Sequence, residues 1–482
     1  MHNEIYNKKQ IFKCLFILLV MITGMHFTKG AAFAMIAPFA LLAITRNKPE
    51  DVFFYILAMV SSIIINPIIA TKGTFFYIEQ RIMLLGFGFL LAIRAVGAKK
   101  SPLATPFLGI LIYLFYMAFA SSMGWSPIIS YLKLILFTTT YLAFFGAANA
   151  AAIHPRTNIV AVRSVILSVA ALFLFGSVAL LPFPAIGQMN AEIFLNNPNV
   201  TSLFMGMTNQ PQCLGPIVSG LAVIIFADLI FGVRKMSKFH IILLACCPIL
   251  IWKTSSRTAM GTFAAGIIFT SYFFMRARWV GKRWQSKIMS CLWLGAIILA
   301  ILLACSGSMR EAATNFIQKH GDKSDITLDS VVSSRMGLVD KAMANFRESP
   351  IFGNGFQVSD AMADDKQKGT QLLSAPIEKG VWVTAVLEEG GVIGFVLFTS
   401  FILIALVKTI KQRAFATASV FFVLTVSNFG EFTFFSVSYI GGFLWALVFA
   451  AIALDAARLK EEAKMQYARF APQMPPGMMW HP

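Results

Sequence analysis

Apolar residues along this chain come in long runs, separated by short polar junctions, from Ile11 almost to the C-terminus. The runs are about 16 to 25 residues long, enough to cross a hydrocarbon layer of ~30 Å at ~1.5 Å per helical residue. The spacing predicts spans near 11–28, 30–45, 52–70, 75–93, 103–124, 128–150, 163–183, 211–231, 239–252, 258–275, 288–305, 382–407, 414–429 and 434–454. That is about fourteen transmembrane helices, with a lower bound of about twelve. The expected fold is therefore an all-α polytopic membrane protein, since backbone in lipid must satisfy its own hydrogen bonds.

Two interruptions are longer than a turn, at 184–210 and 306–381. They divide the chain into an N-terminal transmembrane bundle (1–183), a central transmembrane segment (184–305), a large loop (306–381), C-terminal transmembrane helices (382–455) and a tail (456–482). The first interruption is rich in Asn, Pro and Gly, which favour turns and leave amides free to bond hydroxyls, so Asn209 and Gln210 are candidate glycan contacts. Within the second, "VVSSRMGLVDKAMANFRESPIFGNGF" (331–356) places Met336, Val339, Met343 and Phe346 at helical spacing behind a Ser333/Ser334 cap. Pro350, Gly353 and Gly355 end it. An amphipathic helix lying in the membrane plane, or plugging the mouth of the bundle, would hold Arg335 and Arg347 at headgroup level.

Composition agrees: 57% of the 482 residues are hydrophobic and only 13% charged, where a soluble chain carries roughly a quarter. Charge then orients the spans. Every second junction is basic, as at Lys8/Lys9/Lys13, Arg94/Lys99/Lys100, Arg276/Arg278/Lys282/Arg283 and Lys408/Lys411/Arg413. Positive junctions stay inside, so both termini are expected in the cytoplasm, with both long interruptions outside. The formal net charge of +18 is mostly this topogenic load, which argues against nucleic acid as a partner. The six cysteines sit mainly in apolar runs with no metal-ligand spacing and read as packing residues.

Cations on the outer side run against the insertion bias and need another reason. Arg81 lies early in the fourth span beside Glu79, Lys133 opens the sixth, and Lys253 and Arg257 flank the turn "WKTSSRTAMGTFAAG". Intramembrane charge usually marks a site, and guanidinium forks match phosphate oxygens. Arg257 with Arg335, helped by Arg81, Lys133, Lys253 and Arg347, is thus a candidate diphosphate pocket; ordinary lipid phosphates would satisfy the same groups. A small-residue face of Ala259, Gly261, Ala264, Ala265 and Gly266 would fix the Arg257 backbone. Glu388 and Glu389 enter the twelfth span, either as a carboxylate tuned for proton transfer or as partners of an arginine. There is no phosphate-binding glycine loop and no metal-ligand cluster, so no nucleotide, metal or cofactor is expected and the leaving group must come with the substrate.

Four stretches together carry a resemblance. They are "NQPQCLGPIVSGLAVIIFADL" (209–229), "SSRTAMGTFAAG" (255–266), the cassette from Arg335 to "SPIFGNGF", and "LEEGGVIGFVLF" (387–398) followed by "EFTFFSVSYIGGFLWALVFA" (431–450). In order and topology the chain resembles the bacterial O-antigen ligase and O-antigen or exopolysaccharide polymerase family, the Wzy/WaaL type. The resemblance implies a fold similar to the C-type membrane glycosyltransferases, in the bacterial inner membrane, with the large loop periplasmic. It implies transfer of undecaprenyl-diphosphate-linked oligosaccharide by inverting, metal-independent attack of an acceptor hydroxyl, with arginines like Arg257 and Arg335 holding the diphosphate. Pathway partners would be a chain-length regulator and a flippase. Ligases of this family place a His and a small polar residue ahead of a Gly-x-x-Gly; here Gly380-Val381 stands ahead of Gly391 to Gly394, which favours a polymerase over a ligase. Glu388, Glu378 and His320 are the candidate bases. A lipid-linked sugar transporter, the rival of another class, would be expected to show two similar halves, and no repeat is visible.

Overall fold

The computed structural model describes residues 6–28, 32–71, 76–190, 202–231, 237–276, 290, 328–358, 379–437 and 439–470. The helices are α1 (Lys8–Thr28), α2 (Ala32–Arg46), α3 (Pro49–Ile64), α4 (Phe76–Gly97), α5 (Ile110–Ser122), α6 (Pro127–Ile153), α7 (Pro155–Ala179), the short α8 (Pro184–Gly187), α9 (Pro211–Phe231), α10 (Lys238–Lys253), α11 (Arg257–Arg276), α12 (Leu328–Glu348), α13 (Trp382–Lys411), α14 (Phe415–Ser427) and α15 (Ile440–Phe470). A two-stranded antiparallel ribbon, β1 (Gln188–Asn190) with β2 (Ser202–Phe204), pairs Met189 with Leu203.

Thirteen of the fourteen predicted spans coincide with helices, and the span at 288–305, Ser290 apart, lies outside the described residues. Nine of the described helical stretches are long and apolar enough to cross a membrane. Helices α2, α3, α10 and α14 fall short, at 15, 16, 16 and 13 residues. The chain is a multi-pass helical membrane protein.

Helices apolar on every side belong in the middle of a bundle. Here α9 and α15 take that place, with Cys213, Leu214, Ile217, Val218 and Leu221 on one and Phe443, Leu444, Ala446 and Val448 on the other wholly or almost wholly buried. Around them α6, α7, α11 and α14 pack directly. Outward faces stay apolar, as at Phe12, Ile82, Phe115 and Leu403, more than half exposed, which suits hydrocarbon and not water. The expected small-residue face of α11 is narrower than the sequence suggests. Ala259 and Gly266 are buried, Gly266 meeting Val223 and Val423, whereas Gly261 faces open space and Ala264 is exposed.

The bundle has two chemically different ends. The end holding the N-terminus is tied by Arg163 to Asp228 and by Asp455, which accepts from the Thr417 amide at 2.8 Å and pairs with Arg458. At the opposite end the C-termini of α3, α5, α7 and α14 meet the N-termini of α6, α9, α11 and α13. Asn66 knots part of it, donating to the Ile186 and Gly206 carbonyls at 2.7 Å each. Helix α15 continues into the tail as far as Phe470, and the tail's Pro/Met-rich end lies outside the described residues.

Candidate functional site

At the end away from the N-terminus, α13 is broken. It contains Gly390-Gly391, and Gly391 adopts φ 62°, ψ −166°, a conformation that costs glycine little and any other residue much. Backbone freed in a membrane helix must find partners, and residues 349–357, the strap that follows α12, supply them. The Asn354 amide donates to the Glu388 carbonyl at 2.9 Å, the Gly355 amide to the Glu389 carbonyl at 3.0 Å, and the Val392 amide to the Pro350 carbonyl at 2.9 Å. The Tyr116 hydroxyl of α5 donates to the Gly390 carbonyl at 2.8 Å. Approach is so close that a Cβ on Gly391 would sit 2.2 Å from the Ile351 oxygen, and one on Gly353 2.3 Å from the Glu389 oxygen. Phe356 anchors the strap in the core, its ring fully buried and 5.1 Å from that of Phe435.

Helix α12 is correspondingly displaced from its expected register. It starts at Leu328, so Ser333 and Ser334 lie inside it and do not cap it. Its buried positions are Ala342 and Asn345, while Met336 is 44% exposed and Val339, Met343 and Phe346 are half-buried. The face that counts is the one packed on α13.

Charge gathers where α13 begins. Lys379 lies 3.4 Å from Glu388 Oε2 and 3.1 Å from Glu389 Oε1, and all three side chains are 5% exposed or less. Asn345 Nδ2 donates to Glu388 Oε1 at 2.9 Å, and Asn354 Nδ2 donates to the Asn345 carbonyl at 2.8 Å. Glu388 is thus held from two sides, whereas neither Glu389 oxygen takes a hydrogen bond of normal geometry. Burial alone would lower the Lys379 pKa; the carboxylates of Glu389 and Glu388 outweigh it and hold the ammonium above its ordinary range. Lys133, buried on α6, donates to the Gln357 carbonyl at 2.7 Å and is close enough to Glu389, Lys379 and Arg81 to feel their charges. Arg81 is itself 6% exposed.

The structure therefore brings together Arg81, Lys133 and Glu388 of the expected site residues. The expected arginine partner of the two glutamates is instead a lysine. Lys379 was missed, although it is a cation in the large interruption beside a span, on the side where the sequence pattern expects few, and so meets the criterion that singled out Arg81. Asn345 and Gln357 carried no sequence signal, because only the folded strap gives them partners.

Arg257 stands half-exposed at the N-terminus of α11, and Lys253 is exposed before it. The turn 428–432 joins them to the cluster. The Phe432 amide donates to the Gly380 carbonyl at 2.9 Å and the Trp382 amide to the Asn428 carbonyl at 3.1 Å, while Gly430 abuts the Thr258 side chain. Arg347 is exposed near the end of α12. Arg335 falls within α12, but its side chain lies outside the described residues, as do Glu378 and His320 entirely. Gln210 Oε1 accepts from the Tyr439 hydroxyl at 2.8 Å, tying α9 to the start of α15. The Asn209 amide donates to the Ile64 carbonyl at 2.7 Å, and its buried Oδ1 has no hydrogen-bond partner among the described residues.

Residues 240–399 match the family model described as O-antigen ligase. The matched stretch runs from α10 to α13 and includes Arg257, the strap and the Lys379, Glu388 and Glu389 cluster. No curated protein matches the chain.

Proposed function

We propose, from the match of residues 240–399 to the O-antigen ligase family model, that this chain is a glycan polymerase drawing on undecaprenyl-diphosphate-linked oligosaccharide. The observation that carries this reading is the gathering of Arg81, Lys133 and Lys379 at the end of the bundle where the matched segment folds back on its own broken helix, with Arg257 linked to them through the turn 428–432. A diphosphate leaving group is the substrate chemistry that such cations serve best. We place that end on the periplasmic side, with both termini in the cytoplasm of a bacterial inner membrane, because basic junctions cluster at the opposite end.

In the proposed reaction the hydroxyl of one lipid-linked repeat unit attacks the anomeric carbon of a second chain from the face opposite its diphosphate. The carbon–oxygen bond to the diphosphate breaks as the new glycosidic bond forms, and configuration inverts. The departing oxygen gains charge, and guanidinium or ammonium groups fixed beforehand stabilise it; such preorganised electrostatics is usually the largest catalytic term. Arg257 and Arg335 would grip the diphosphate, with Arg81 and Lys133 behind them and Arg347 orienting the cassette. The hydroxyl proton would pass to a carboxylate, with Glu388 or Glu378, or to His320.

Ligation to a lipid A-core acceptor is the second reading, favoured by the description of the matched family. The Gly380-Val381 pair at the ligase histidine position supports the polymerase instead. Deleting the gene and sizing surface and lipid-linked glycan separates them. Polymerase loss leaves single repeats still exported; ligase loss leaves long chains on the carrier lipid. Normal long chains reaching their final acceptor would refute both.

A further inference from the structure

Glu388 and Glu389 stand side by side, yet the fold treats them differently. Asn345 donates to one oxygen of Glu388 and Lys379 lies against the other. Glu389 is wholly buried, and neither of its oxygens takes a hydrogen bond of normal geometry, although Lys379 stands 3.1 Å away and the Gln357 amide faces it. Its charge serves two ammonium groups, since Lys379 and Lys133 both lie within its field. Arg81 is close enough to act on Lys133, and Tyr113 of α5 also feels the Glu389 charge. The Tyr113 hydroxyl is buried with no hydrogen-bond partner among the described residues, as is that of Ser130, one turn before Lys133 on α6. Buried hydroxyls left over by the protein are normally met by ordered water, a medium through which a proton moves. A diphosphate seated on these ammonium groups competes with the carboxylates for them, and a carboxylate that loses its cation in a dry site becomes a stronger base. The one that yields is Glu389, which has no Asn345 to hold its charge in place.

We propose that Glu389 is the proton acceptor of the transfer, a counter-ion that the donor's diphosphate displaces from Lys133 and Lys379 and that becomes basic only once the donor is seated. The inference rests on the diphosphate reading above and names its base. The acceptor O–H bond breaks as its oxygen bonds to the anomeric carbon, and the electron pair of the carbon–oxygen bond leaves with the diphosphate. The proton passes through bridging water to Glu389. One negative charge thus moves from the carboxylate to the departing diphosphate, and the total facing the two ammonium groups is unchanged across the step. Glu388, pinned by Asn345, stays ionised and keeps Lys379 in place.

The test uses the full chain in phosphatidylcholine nanodiscs, with undecaprenyl diphosphate as the binding probe, phosphatidylglycerol as competitor and lipid-linked repeat units extracted from the deletion strain as substrate. Glu389→Gln keeps the side-chain shape and removes the competing charge, so it should bind undecaprenyl diphosphate about tenfold tighter than wild type, the effect of one neighbouring charge. At saturating substrate its transfer rate should fall about 10²-fold or more. Wild-type affinity should rise relative to that of Glu389→Gln as pH falls, because a protonated carboxylate no longer competes. Glu389→Asp keeps the charge and draws it back, and should bind like wild type yet lose at least about tenfold in rate. A merely structural role does not give tighter binding together with slower transfer. Glu389→Gln that binds no tighter than wild type, or transfers within about tenfold of its rate, overturns the proton acceptor and leaves the diphosphate reading standing. Should that variant not fold, a wild-type rate in Glu389→Asp overturns it equally. No binding by the wild type overturns the diphosphate reading and the proton acceptor with it. Equal competition by phosphatidylglycerol assigns the cations to a common headgroup and overturns both.

Discussion

Replacing Lys379 by Met gives the sharpest test of the charge cluster. The substitution keeps most of the side-chain volume and removes the ammonium that stands 3.1 Å from Glu389 and 3.4 Å from Glu388. Two adjacent carboxylates, 3% and 0% exposed, are then left facing each other without a cation between them. Breaking a buried pair by deleting one partner costs about 3–5 kcal/mol, far above the ~1 kcal/mol of an exposed pair. The loss should be read as unfolding free energy in mixed micelles, and adding Glu389→Gln should recover part of it by removing the uncompensated charge. The pH dependence gives an independent reading. Because the folded-state pKa of Lys379 stands above its unfolded value, its contribution is complete below about pH 10.4 and disappears as pH rises through the folded value. Wild type should therefore lose stability above about pH 10.4 by a limb that Lys379→Met lacks. A variant within ~1 kcal/mol of wild type, with the alkaline limb unchanged, would refute the claim that these groups are paired and dry.

Other outcomes follow from the same geometry. Gly391→Ala places a methyl 2.2 Å from the Ile351 oxygen at a positive φ and should cost at least about 1–2 kcal/mol, with Gly86→Ala, which meets nothing, as the control; melting curves decide. Asn345→Ala removes the donor to Glu388 and should destabilise by about 1–3 kcal/mol, whereas Arg347→Ala on the same helix should change stability by under ~0.5 kcal/mol. Arg257→Lys and Arg335→Lys should insert normally yet lose about 10²–10³ in transfer rate, since a point charge does not replace a fork; full activity in both would remove them from the site. Cysteines at 257 and 335 should react with impermeant maleimide added outside, and protection of both until the membrane is opened would invert the proposed topology.

Run length and hydropathy made the helices legible, because crossing hydrocarbon is a constraint each segment meets by itself. Thirteen helices could be located from that rule alone, nine of the described stretches being long and apolar enough to cross. Arg81 and Lys133 were legible for a related reason, since a cation against the insertion bias is conspicuous in any one segment. The cluster they join was not. Glu388 and Asn345 meet across 43 positions, and Lys133 and Gln357 across 224, through a strap whose course depends on a break in another helix. The amphipathic register of α12 misled for the same reason. Its apolar stripe suggested a membrane plane or a plug at the bundle's mouth, and the surface it covers is α13, where a carboxylate rewards Asn345 as well as any apolar residue would be rewarded elsewhere. Gly390-Gly391 was not read as a break in the span 382–407, and only the fold shows both the break and what fills it.

That break also constrains biogenesis. While α13 leaves the ribosome and enters the bilayer, the backbone amides and carbonyls around Gly391 cannot be left naked in lipid, and the described groups that quiet them have already been made. Tyr116 precedes them by 274 residues, and Pro350, Asn354 and Gly355 emerge only a few dozen residues earlier. The N-to-C order of synthesis thus has the receptor waiting before the defect arrives. A circular permutation that made α13 first would ask the insertion machinery to stabilise it alone, and such a chain should be degraded or misinserted even with each of its final contacts encoded.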